Sequence, residues 1–299
     1  QSLASAREEF SADESSVDYF MGLTAGENWV QTDLANTLRR IMRDGADGFY
    51  AGKTAQLIAD EMAMGGGLVS LVDLQNYVTV TREPVSGTYK GYEVAAMSPP
   101  SSGGVHIVQM LNILEGYDLQ ADGHNSADYL HKLIEAMRRA YADRSKYLGD
   151  PDFVDVPVEE LMDKAYADRL RDTIKLNTAS TSAEVLPGTE LLPEPVNTTH
   201  FSVMDKAGNA VFLTYTLNFS YGSGYSVDGA GFLLNNEMDD FSAKPGSPNG
   251  YGLIGGDANK IEPRKRPLSS MTPMLVKKDG KVVLATGSPG GSTIITAVL

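Results

Sequence analysis

The amino-acid sequence predicts an α+β fold, and three observations support that prediction. Helix-like apolar periodicity fills much of the first half of the chain, apolar strand-like runs dominate after residue 198, and short turn sequences join two pairs of those runs. An order of helices followed by hairpins favours a layered α+β domain over a chain of βαβ units. The chain has 299 residues, of which 42% are hydrophobic, so it can bury a sizeable core.

Helices are predicted where apolar residues recur on one face. Residues 1–31 are polar and lack periodicity, so we expect them to be irregular. An apolar face that begins at Leu34 predicts a helix that ends at Gly45, and a second helix is expected over Thr54–Met64. Three more helices are expected over Val105–Glu115, after the N-cap residue Ser126, and from about Pro157.

Seven apolar stretches are predicted to form strands. Two pairs of them flank turn sequences, Asp205–Asn209 and Asp279-Gly280, that are typical of hairpins. Residues 175–197 are rich in Thr, Ser, Pro and Glu without periodicity, which predicts a linker or mobile loop. The predicted strands are Val78–Thr81, Thr88–Ala96 with a turn at Lys90-Gly91, Thr199–Met204, Ala210–Leu217, Phe232–Asn235, Met274–Lys278 and Lys281–Thr286.

Composition excludes several classes of protein. The net charge of −14 argues against a nucleic-acid backbone as partner, because phosphates attract basic surfaces. The sequence has no cysteine, which excludes disulfides and thiolate chemistry, and no apolar run approaches the roughly 18 residues of a membrane span. No signal peptide is visible. Because the sequence ends within a predicted helix, Ser292–Leu299, we expect it to be an internal piece of a longer protein.

Thr198 lies where the predicted linker meets a predicted strand, and its hydroxyl has two interpretations. It either decorates the end of the strand or acts as a nucleophile. A threonine nucleophile needs an adjacent base, and cleavage of the Asn197–Thr198 bond would supply one, the α-amino group of Thr198 itself. The pKa of an α-amino group, about 7.7–8.0, leaves a useful fraction neutral at pH 7. One residue would then provide both nucleophile and base.

Other candidate motifs are weaker. The 4 histidines are scattered without metal-ligand spacing, so we expect ordinary core or surface roles for them. The stretch Gly287–Thr293 looks like an anion-binding loop but lacks the lysine of a P-loop and the spacing of a nucleophile elbow. Ser101–Gly104 is interpreted as a turn with a helix cap.

Three later segments supply groups that suit a small zwitterion. Asn235–Phe241 contains three acids and two amides within seven residues, and it either forms a solvated turn or binds an amine. Pro267–Met271 offers two hydroxyls, after the basic residues Arg264–Arg266, that suit a carboxylate. The pair Gly290-Gly291 offers unhindered backbone N–H groups that suit an oxyanion.

Taken together, these motifs resemble those of the γ-glutamyltranspeptidase family. In the second half the resemblance lies in N-T-T-H-F-S-V, T-Y-T-L-N, L-L-N-N-E-M-D-D-F, K-R-P-L-S-S-M-T-P and T-G-S-P-G-G-S. In the first half it lies in S-P-P-S-S-G-G-V-H-I-V-Q-M-L-N-I-L-E and Y-A-D-R-S-K-Y-L-G-D-P-D-F. The motifs occur in order and at family-like spacing over nearly the whole chain.

The resemblance implies a fold and a processing event. Members of this family are N-terminal nucleophile hydrolases with a four-layer αββα sandwich, and each precursor cleaves itself into a large and a small subunit. By that pattern, residues 1–197 are the C-terminal part of the large subunit and residues 198–299 the N-terminal part of the small one. Together they would form one catalytic domain, here expected to lack its first and last segments.

The resemblance also implies roles for individual residues. Thr198 would be the nucleophile, Thr216 the hydroxyl that bonds it, and Thr199 an ordinary strand residue. The oxyanion hole would be formed by Gly290 and Gly291. The implied substrate-binding residues are Asn218, Glu237 and Asp240 for the α-amino group, Ser269 and Ser270 for the α-carboxylate, and Tyr251 in a lid loop over Pro245–Asn259.

The activity implied by the resemblance is transfer of a γ-glutamyl group from glutathione or a related compound. The group would pass through a γ-glutamyl-threonine ester to water or to an amino acid or peptide, without a metal or organic cofactor. The implied partners are these substrates and the large and small subunits of one precursor, paired as a heterodimer. The implied location is the periplasm or the exterior of the cell.

One family feature has no match in this sequence. Family members carry an arginine that clamps the substrate carboxylate in a segment before the equivalent of Gln1. Three alternatives also stay open: a cephalosporin (glutaryl) acylase, a capsule polyglutamate transpeptidase, and a non-catalytic homologue. The acids Glu237 and Asp240 favour a γ-glutamyl substrate over a glutaryl one, which has no α-amino group.

Overall fold

The computed structural model describes residues 2–182, 184–185 and 198–299. Most of the predicted linker, and the predicted cleavage residue Asn197, lie outside the described residues. None of the helices in the described ranges is long and apolar enough to cross a membrane. The chain divides into two compact units, the first comprising Gln1–Thr81 and Tyr221–Asn236 and the second Arg82–Ser220 and Glu237–Leu299.

The first unit is built from helices. Its helices are α1 (Ser2–Ser5), α2 (Arg7–Phe10), α3 (Glu14–Ser16), a π-helix (Val17–Met21), α4 (Thr32–Asp44), α5 (Asp47–Tyr50), α6 (Gly52–Gly65) and α7 (Leu71–Asn76). Two of them confirm predicted helices, because α4 ends before Gly45 and α6 ends before Gly66, whose φ of 72° is left-handed. The core of this unit is formed by Ala55, Ile58, Leu74, Val227 and Ala230.

The expectation that residues 1–31 are irregular is wrong for much of that segment. Phe10 is fully buried, and its ring centroid lies 5.0 Å from that of Tyr221. The carboxylate of Asp13 accepts hydrogen bonds from the backbone N–H groups of Ser16 and Ser226 at 2.8 and 3.0 Å. Ser226 lies 213 residues after Asp13, so local periodicity could not reveal the contacts that order this segment.

Two predicted strands in this unit are also wrong. Residues 78–81 form no strand, and residues 232–235 contain an isolated β-bridge, in which Leu233 pairs with Ser226, rather than a strand. The side chains of Val78 and Val80 are exposed, and Phe232 packs among helices with its ring centroid 5.4 Å from that of Phe49. The prediction of strands rested on β-branched and aromatic residues, which here lie in a loop and in a core formed mainly by helices.

The second unit combines helices with two antiparallel sheets, which confirms the α+β prediction. One sheet has the strand order β1-β2-β5-β6, and the other is the hairpin β3-β4. The elements are β1 (Val85–Tyr89), β2 (Tyr92–Ala96), α8 (Gly103–Glu115), α9 (Leu119–Asp122), α10 (Ala127–Tyr147), α11 (Val158–Leu161), α12 (Lys164–Asp172), β3 (Thr199–Met204), β4 (Ala210–Tyr215), β5 (Met274–Lys278), β6 (Lys281–Thr286) and α13 (Ile294–Val298). Short 3₁₀ helices occupy Glu237–Asp240, Asp257–Asn259 and Gly291–Thr293.

The turn sequences form the hairpins that they predict. Asp279 and Gly280, between β5 and β6, both have positive φ angles, as do Lys90 and Gly91 between β1 and β2. Two successive positive φ angles match the right-handed twist of the flanking strands. The predicted helix Ser292–Leu299 is found as a 3₁₀ turn followed by α13.

Helix α8 lies at the centre of the second unit. Eleven of its 13 residues are buried, since it contacts β1 and β2 as well as α10 and α12. Its start approaches the sheet so closely that a Cβ on Gly104 would overlap the carbonyl oxygen of Met97. The position of α8 therefore fixes the loop of residues 98–102 in front of it.

The hairpin β3-β4 leaves one apolar face exposed. Val203 pairs with Val211 across the hairpin, and their exposed fractions are 59% and 60%. Contiguous exposed apolar surface of this kind usually marks a contact with other protein. The exposed large apolar side chains that share this face are Phe201, Val203, Val211, Leu213 and Tyr215.

Candidate active site

Pairing of β3 with β4 brings Thr198 and Thr216 together. Thr198 immediately precedes β3, and Thr216 immediately follows β4. The residue pair at this end of the two strands is Thr199 with Tyr215. The Thr198 hydroxyl donates to the Thr216 hydroxyl oxygen at 3.4 Å, and the same oxygen accepts the Asn218 N–H at 2.9 Å. Two hydroxyls that are 18 residues apart thus form one hydrogen-bonded pair at the end of the hairpin.

Tyr251 closes one side of this region. It is 3% exposed, its hydroxyl donates to the backbone carbonyl of Asn218 at 2.7 Å, and its ring lies edge-on to Phe219. A Cβ on Gly291 would lie 2.6 Å from Cε1 of the Tyr251 ring, and the φ of Gly291 is 52°. Glycine at this position therefore lets the backbone touch the ring.

The acids Glu237 and Asp240 form a hydrogen-bonded pair on one 3₁₀ helix. Burial raises the pKa of Glu237, and burial together with the Glu237 charge raises the pKa of Asp240 to about 8. The guanidinium of Arg144 opposes this shift. Two carboxyls held this close share a proton more readily than they both ionise.

The serines Ser269 and Ser270 are supported by the loop in front of α8. The Ser269 N–H donates to the Pro100 carbonyl, and its own carbonyl accepts the Ser102 N–H, both at 2.9 Å. The Ser101 hydroxyl donates to the Met271 carbonyl at 2.6 Å. The two loops are thus joined through their backbones.

The prediction that Ser101–Gly104 includes a helix cap is confirmed in part, because the Ser101 hydroxyl oxygen accepts the N–H of Gly103, the first residue of α8, at 3.2 Å. Ser102 precedes α8, but its side chain makes no capping hydrogen bond to the helix. Its hydroxyl donates instead to the Ser269 carbonyl at 2.9 Å. The loop that carries Ser269 and Ser270, called here the serine loop, lies beside it.

Arg144 is a candidate site residue whose role the sequence motifs did not reveal, although it lies in one of them. It is 6% exposed on α10, its Nε donates to the Ser102 hydroxyl oxygen at 3.0 Å, and its Nη2 donates to the Ser270 hydroxyl oxygen at 2.9 Å. One sequence signal could have found it, namely charged residues on the buried stripe of an amphipathic helix. That stripe contains Glu135, Arg139, Asp143 and Arg144.

Two of the basic residues before Ser269 and Ser270, Lys265 and Arg266, contact acids elsewhere in the second unit. The ammonium of Lys265 pairs with Glu262 at 2.9 Å, and the guanidinium of Arg266 lies 3.8 Å from Asp152. The Arg266 N–H donates to Asp150 at 2.8 Å. These contacts fix the segment that precedes Ser269 and Ser270.

Eight of the predicted site residues line one small cavity of about 20 Å³. Glu237 joins this group through its hydrogen bond to Asp240, and Gly290 adjoins it as the neighbour of Gly291. Asn197 lies outside the described residues. The lining residues are Thr198, Thr216, Asn218, Asp240, Tyr251, Leu253, Ser269, Ser270, Met271, Gly291, Ser292 and Ile294.

His106 has the ordinary core role that was expected of the histidines. His106 is fully buried, its Nδ1 pairs with the Gln109 side chain at 3.0 Å, and burial lowers its pKa to about 3. Within the described ranges, no group of three or more acidic or histidine side chains is arranged to hold a metal ion.

Comparison with known proteins shows the relatives of this chain. A family model described as gamma-glutamyltranspeptidase matches residues 1–299. The glutathione hydrolase proenzyme of Escherichia coli (strain K12) is 56% identical over 277 residues, which cover 93% of this chain and 48% of that protein. The acylase ACY 1 proenzyme of Pseudomonas sp. (strain SE83) is 42% identical over 277 residues, covering 93% of this chain and 47% of that protein.

A solved structure supports the fold over nearly the whole chain. The crystal structure of cephalosporin acylase from Bacillus halodurans matches with a TM-score of 0.80 at 27% identity, and the match covers 98% of this chain and 52% of that one. The chain thus spans about half the length of the relatives that it matches. On the family match, the high identity and the shared fold, the chain belongs to the gamma-glutamyltranspeptidase family.

Proposed function

We propose that the protein containing this chain is a γ-glutamyltranspeptidase that cleaves glutathione and related γ-glutamyl amides through Thr198. The observation that carries the proposal is the cavity lined by the Thr198–Thr216 hydroxyl pair, by Asp240 of the acid pair and by the serine pair. The name of the Escherichia coli relative, a glutathione hydrolase, supports the substrate class.

The first step is self-cleavage of the precursor. The Thr198 hydroxyl attacks the Asn197 carbonyl carbon, the C–N bond between the two residues breaks, and an ester forms while the Thr198 nitrogen takes up the proton. Water then hydrolyses the ester and leaves Thr198 with a free α-amino group. Thr216, which accepts the Thr198 hydroxyl hydrogen bond, orients the attacking oxygen.

Turnover repeats this chemistry on the substrate. The Thr198 amine takes the hydroxyl proton, the Thr198 oxygen attacks the γ-carbonyl, and the protonated amine delivers the proton to the leaving amine. The Gly290 and Gly291 N–H groups stabilise the oxyanion, a kind of contact whose loss typically costs about 10²–10³ in rate. Water, an amino acid or a peptide then takes the γ-glutamyl group from the ester.

Recognition of the γ-glutamyl group follows from the charges around the cavity. Glu237, Asp240 and Asn218 offer oxygens to the substrate ammonium, and Ser269 and Ser270 offer hydroxyls to its carboxylate. The cavity of about 20 Å³ accommodates about one water molecule. We therefore expect Tyr251 to move when the substrate enters, which fits its place in the predicted lid loop.

The oligomeric form and location follow from the same proposal. Self-cleavage would produce a large and a small subunit that stay paired as a heterodimer, and substrates such as glutathione would be met in the periplasm or outside the cell. The match covers 48% of the Escherichia coli relative. In a full-length protein, the carboxylate-clamping arginine of the family would lie outside the matched part.

The main alternative is an acylase that acts on glutaryl compounds, which the acylase relatives favour. A glutaryl group has no ammonium to pair with Glu237 and Asp240. A site built for it would leave Asp240 in the cavity, and Glu237 hydrogen-bonded behind it, without a cationic ligand, at a desolvation cost. The acid pair therefore favours the γ-glutamyl substrate.

The proposal is tested on a full-length form of the protein. We expect the wild type to split before Thr198, giving a small subunit that begins Thr-Thr-His by Edman sequencing, and to hydrolyse γ-glutamyl-p-nitroanilide much faster than glutaryl-p-nitroanilide. Thr198→Ala should remain uncleaved and inactive, because it removes both nucleophile and base.

Thr199→Ala is the matched control, since Thr199 is an exposed strand residue beside the nucleophile. It should cleave itself and retain most activity. A Thr198→Ala protein that still cleaves at this bond would remove the basis of the mechanism, and faster turnover of the glutaryl substrate would support the acylase instead.

A further inference from the structure

Arg144 connects the two loops that carry the predicted carboxylate subsite. Its Nε bonds Ser102 in the loop before α8, and its Nη2 bonds Ser270 in the serine pair. Ser102 in turn donates to the Ser269 carbonyl at 2.9 Å. A single buried guanidinium on α10 therefore bonds the Ser270 hydroxyl directly, 126 residues away, and reaches only the backbone of Ser269, through Ser102.

The direction of these hydrogen bonds decides what Ser270 can do. A guanidinium only donates, so the Ser270 oxygen accepts from Arg144, and the Ser270 proton must point elsewhere. Ser269 is oriented in the same way, because its hydroxyl oxygen accepts the Met271 N–H at 3.1 Å. Within the described part of the chain, neither serine hydroxyl donates to a protein acceptor, and both residues line the cavity. Both protons are therefore available to an anionic ligand.

We propose that Arg144 is a positioning residue that makes Ser270 a hydrogen-bond donor to the substrate carboxylate, with Ser102 fixing the orientation of the guanidinium. This inference rests on the proposed function, because it assigns the carboxylate of a γ-glutamyl substrate to the serine pair. Arg144 does not line the cavity itself and acts through Ser270.

Arg144 also lies within electrostatic range of Asp240, so a test must separate the two effects. Lysine keeps the positive charge near Asp240, but its single ammonium lacks the planar fork that bonds two hydroxyls in fixed directions. Arg144→Lys is therefore the informative substitution. Arg139→Lys is its matched control, since Arg139 is equally buried on the same helix but pairs with Glu135.

The experiment measures inhibition of γ-glutamyl-p-nitroanilide hydrolysis by three small acids in the full-length protein. L-Glutamate has both the α-amino group and the α-carboxylate, glutarate lacks the amino group, and 4-aminobutanoate lacks the α-carboxylate. For Arg144→Lys we expect the inhibition constants of L-glutamate and glutarate to rise about tenfold. The constant of 4-aminobutanoate should change less than about twofold, and Arg139→Lys should leave all three unchanged.

Two further variants complete the test. In a Ser270→Ala background, Arg144→Lys should have no further effect on L-glutamate, because the group through which it acts is gone. Ser102→Ala should weaken L-glutamate and glutarate in the same direction, and it provides the test if Arg144→Lys fails to fold or to cleave itself.

Each contrary outcome has a distinct meaning. Equal weakening of all three acids would show that Arg144 is only structural, and weakening of L-glutamate and 4-aminobutanoate alone would show that it acts through the acid pair. Additive effects of Arg144→Lys and Ser270→Ala would also overturn the inference. A wild type that does not hydrolyse γ-glutamyl-p-nitroanilide would instead overturn the proposed function.

Discussion

At Glu237 and Asp240, two carboxyl groups share a hydrogen bond away from water. Burial and the Glu237 charge raise the pKa of Asp240 to about 8, Asp239 adds to this rise, and Arg144 opposes it. Unfolded carboxyls titrate near pH 4, so the folded pair keeps a proton that the unfolded chain loses. The contribution of this pair to the free energy of unfolding therefore falls as the pH rises from about 4 through 8.

On the proposed function, this proton would make recognition of the substrate ammonium depend on pH. An ammonium ligand binds the fully ionised pair best, so we expect selectivity for γ-glutamyl- over glutaryl-p-nitroanilide, as a ratio of kcat/KM values, to rise from pH 6 to pH 8.5. The slope should reach at most about tenfold per pH unit below the pKa of the pair. Effects on the Thr198 amine cancel in the ratio. Asp240→Asn should flatten the profile, and an unchanged profile would mean that Asp240 does not titrate in this range.

Whether the role of a single residue could be predicted depended on how far away along the sequence its partners lie. Thr198, Thr216 and the serine pair lie in recognisable motifs, and the structure places them around one cavity. Arg144 also lies in such a motif, but its role arises only because the folded chain sets it beside Ser270, 126 residues away. The spacing of residues in the sequence does not indicate that Arg144 and Ser270 are in contact.

At the level of elements, Asn259 joins the acid pair to the serine loop. Its Nδ2 donates to the Asp240 carbonyl at 2.7 Å, and its Oδ1 accepts the Leu268 N–H at 3.0 Å. Its backbone carbonyl also accepts the Ser242 N–H at 2.9 Å. Asn259 is only 4% exposed, so water cannot easily replace these contacts.

Asn259→Ala should therefore affect both stability and binding. One buried and one part-buried backbone group would lose their partners, at about 1–3 kcal/mol each, so we expect the free energy of unfolding to fall by roughly 2–6 kcal/mol in urea titrations. The KM for γ-glutamyl-p-nitroanilide should rise as well. Asn209→Ala is the control, because the Asn209 side chain bonds Asp205 in an exposed loop. Equal effects of the two substitutions would show that Asn259 does not join the site loops.

Elements were predictable where local chemistry sufficed. The Asp279-Gly280 turn and the N-cap Ser126, whose hydroxyl oxygen accepts the Tyr129 N–H at 3.1 Å, need only a few neighbouring residues. The helices within residues 1–31 depend instead on Tyr221 and Ser226, which the chain brings back from far downstream. Tertiary contact overrode weak local pattern there.

At the scale of the whole molecule, the hairpin β3-β4 combines a site residue at its start with an exposed apolar face. The face that includes Val203 and Val211 has no cover within the described part of the chain. Charge offers some compensation, since a net charge of −14 favours solubility. An apolar face on a two-stranded hairpin nevertheless invites association.

We expect the 299-residue sequence, expressed alone, to be poorly soluble and essentially inactive on γ-glutamyl-p-nitroanilide, whereas the full-length protein is soluble and active. Light scattering and turnover measure both properties. The double variant Val203→Thr and Val211→Thr should reduce aggregation of the 299-residue piece, because it makes the exposed face polar. Full activity from the piece alone would show that the clamping arginine is dispensable or replaced.

The four-stranded sheet joins parts of the chain on opposite sides of the proposed cleavage bond. Strand β2 comes from before Asn197 and β5 from after it, and they pair from Glu93–Lys277 to Ala96–Met274. Cutting the chain therefore turns an intramolecular sheet into the contact between two polypeptides. Unfolding of the cleaved protein then becomes a dissociation, so its melting temperature gains a dependence on protein concentration that the uncut precursor lacks.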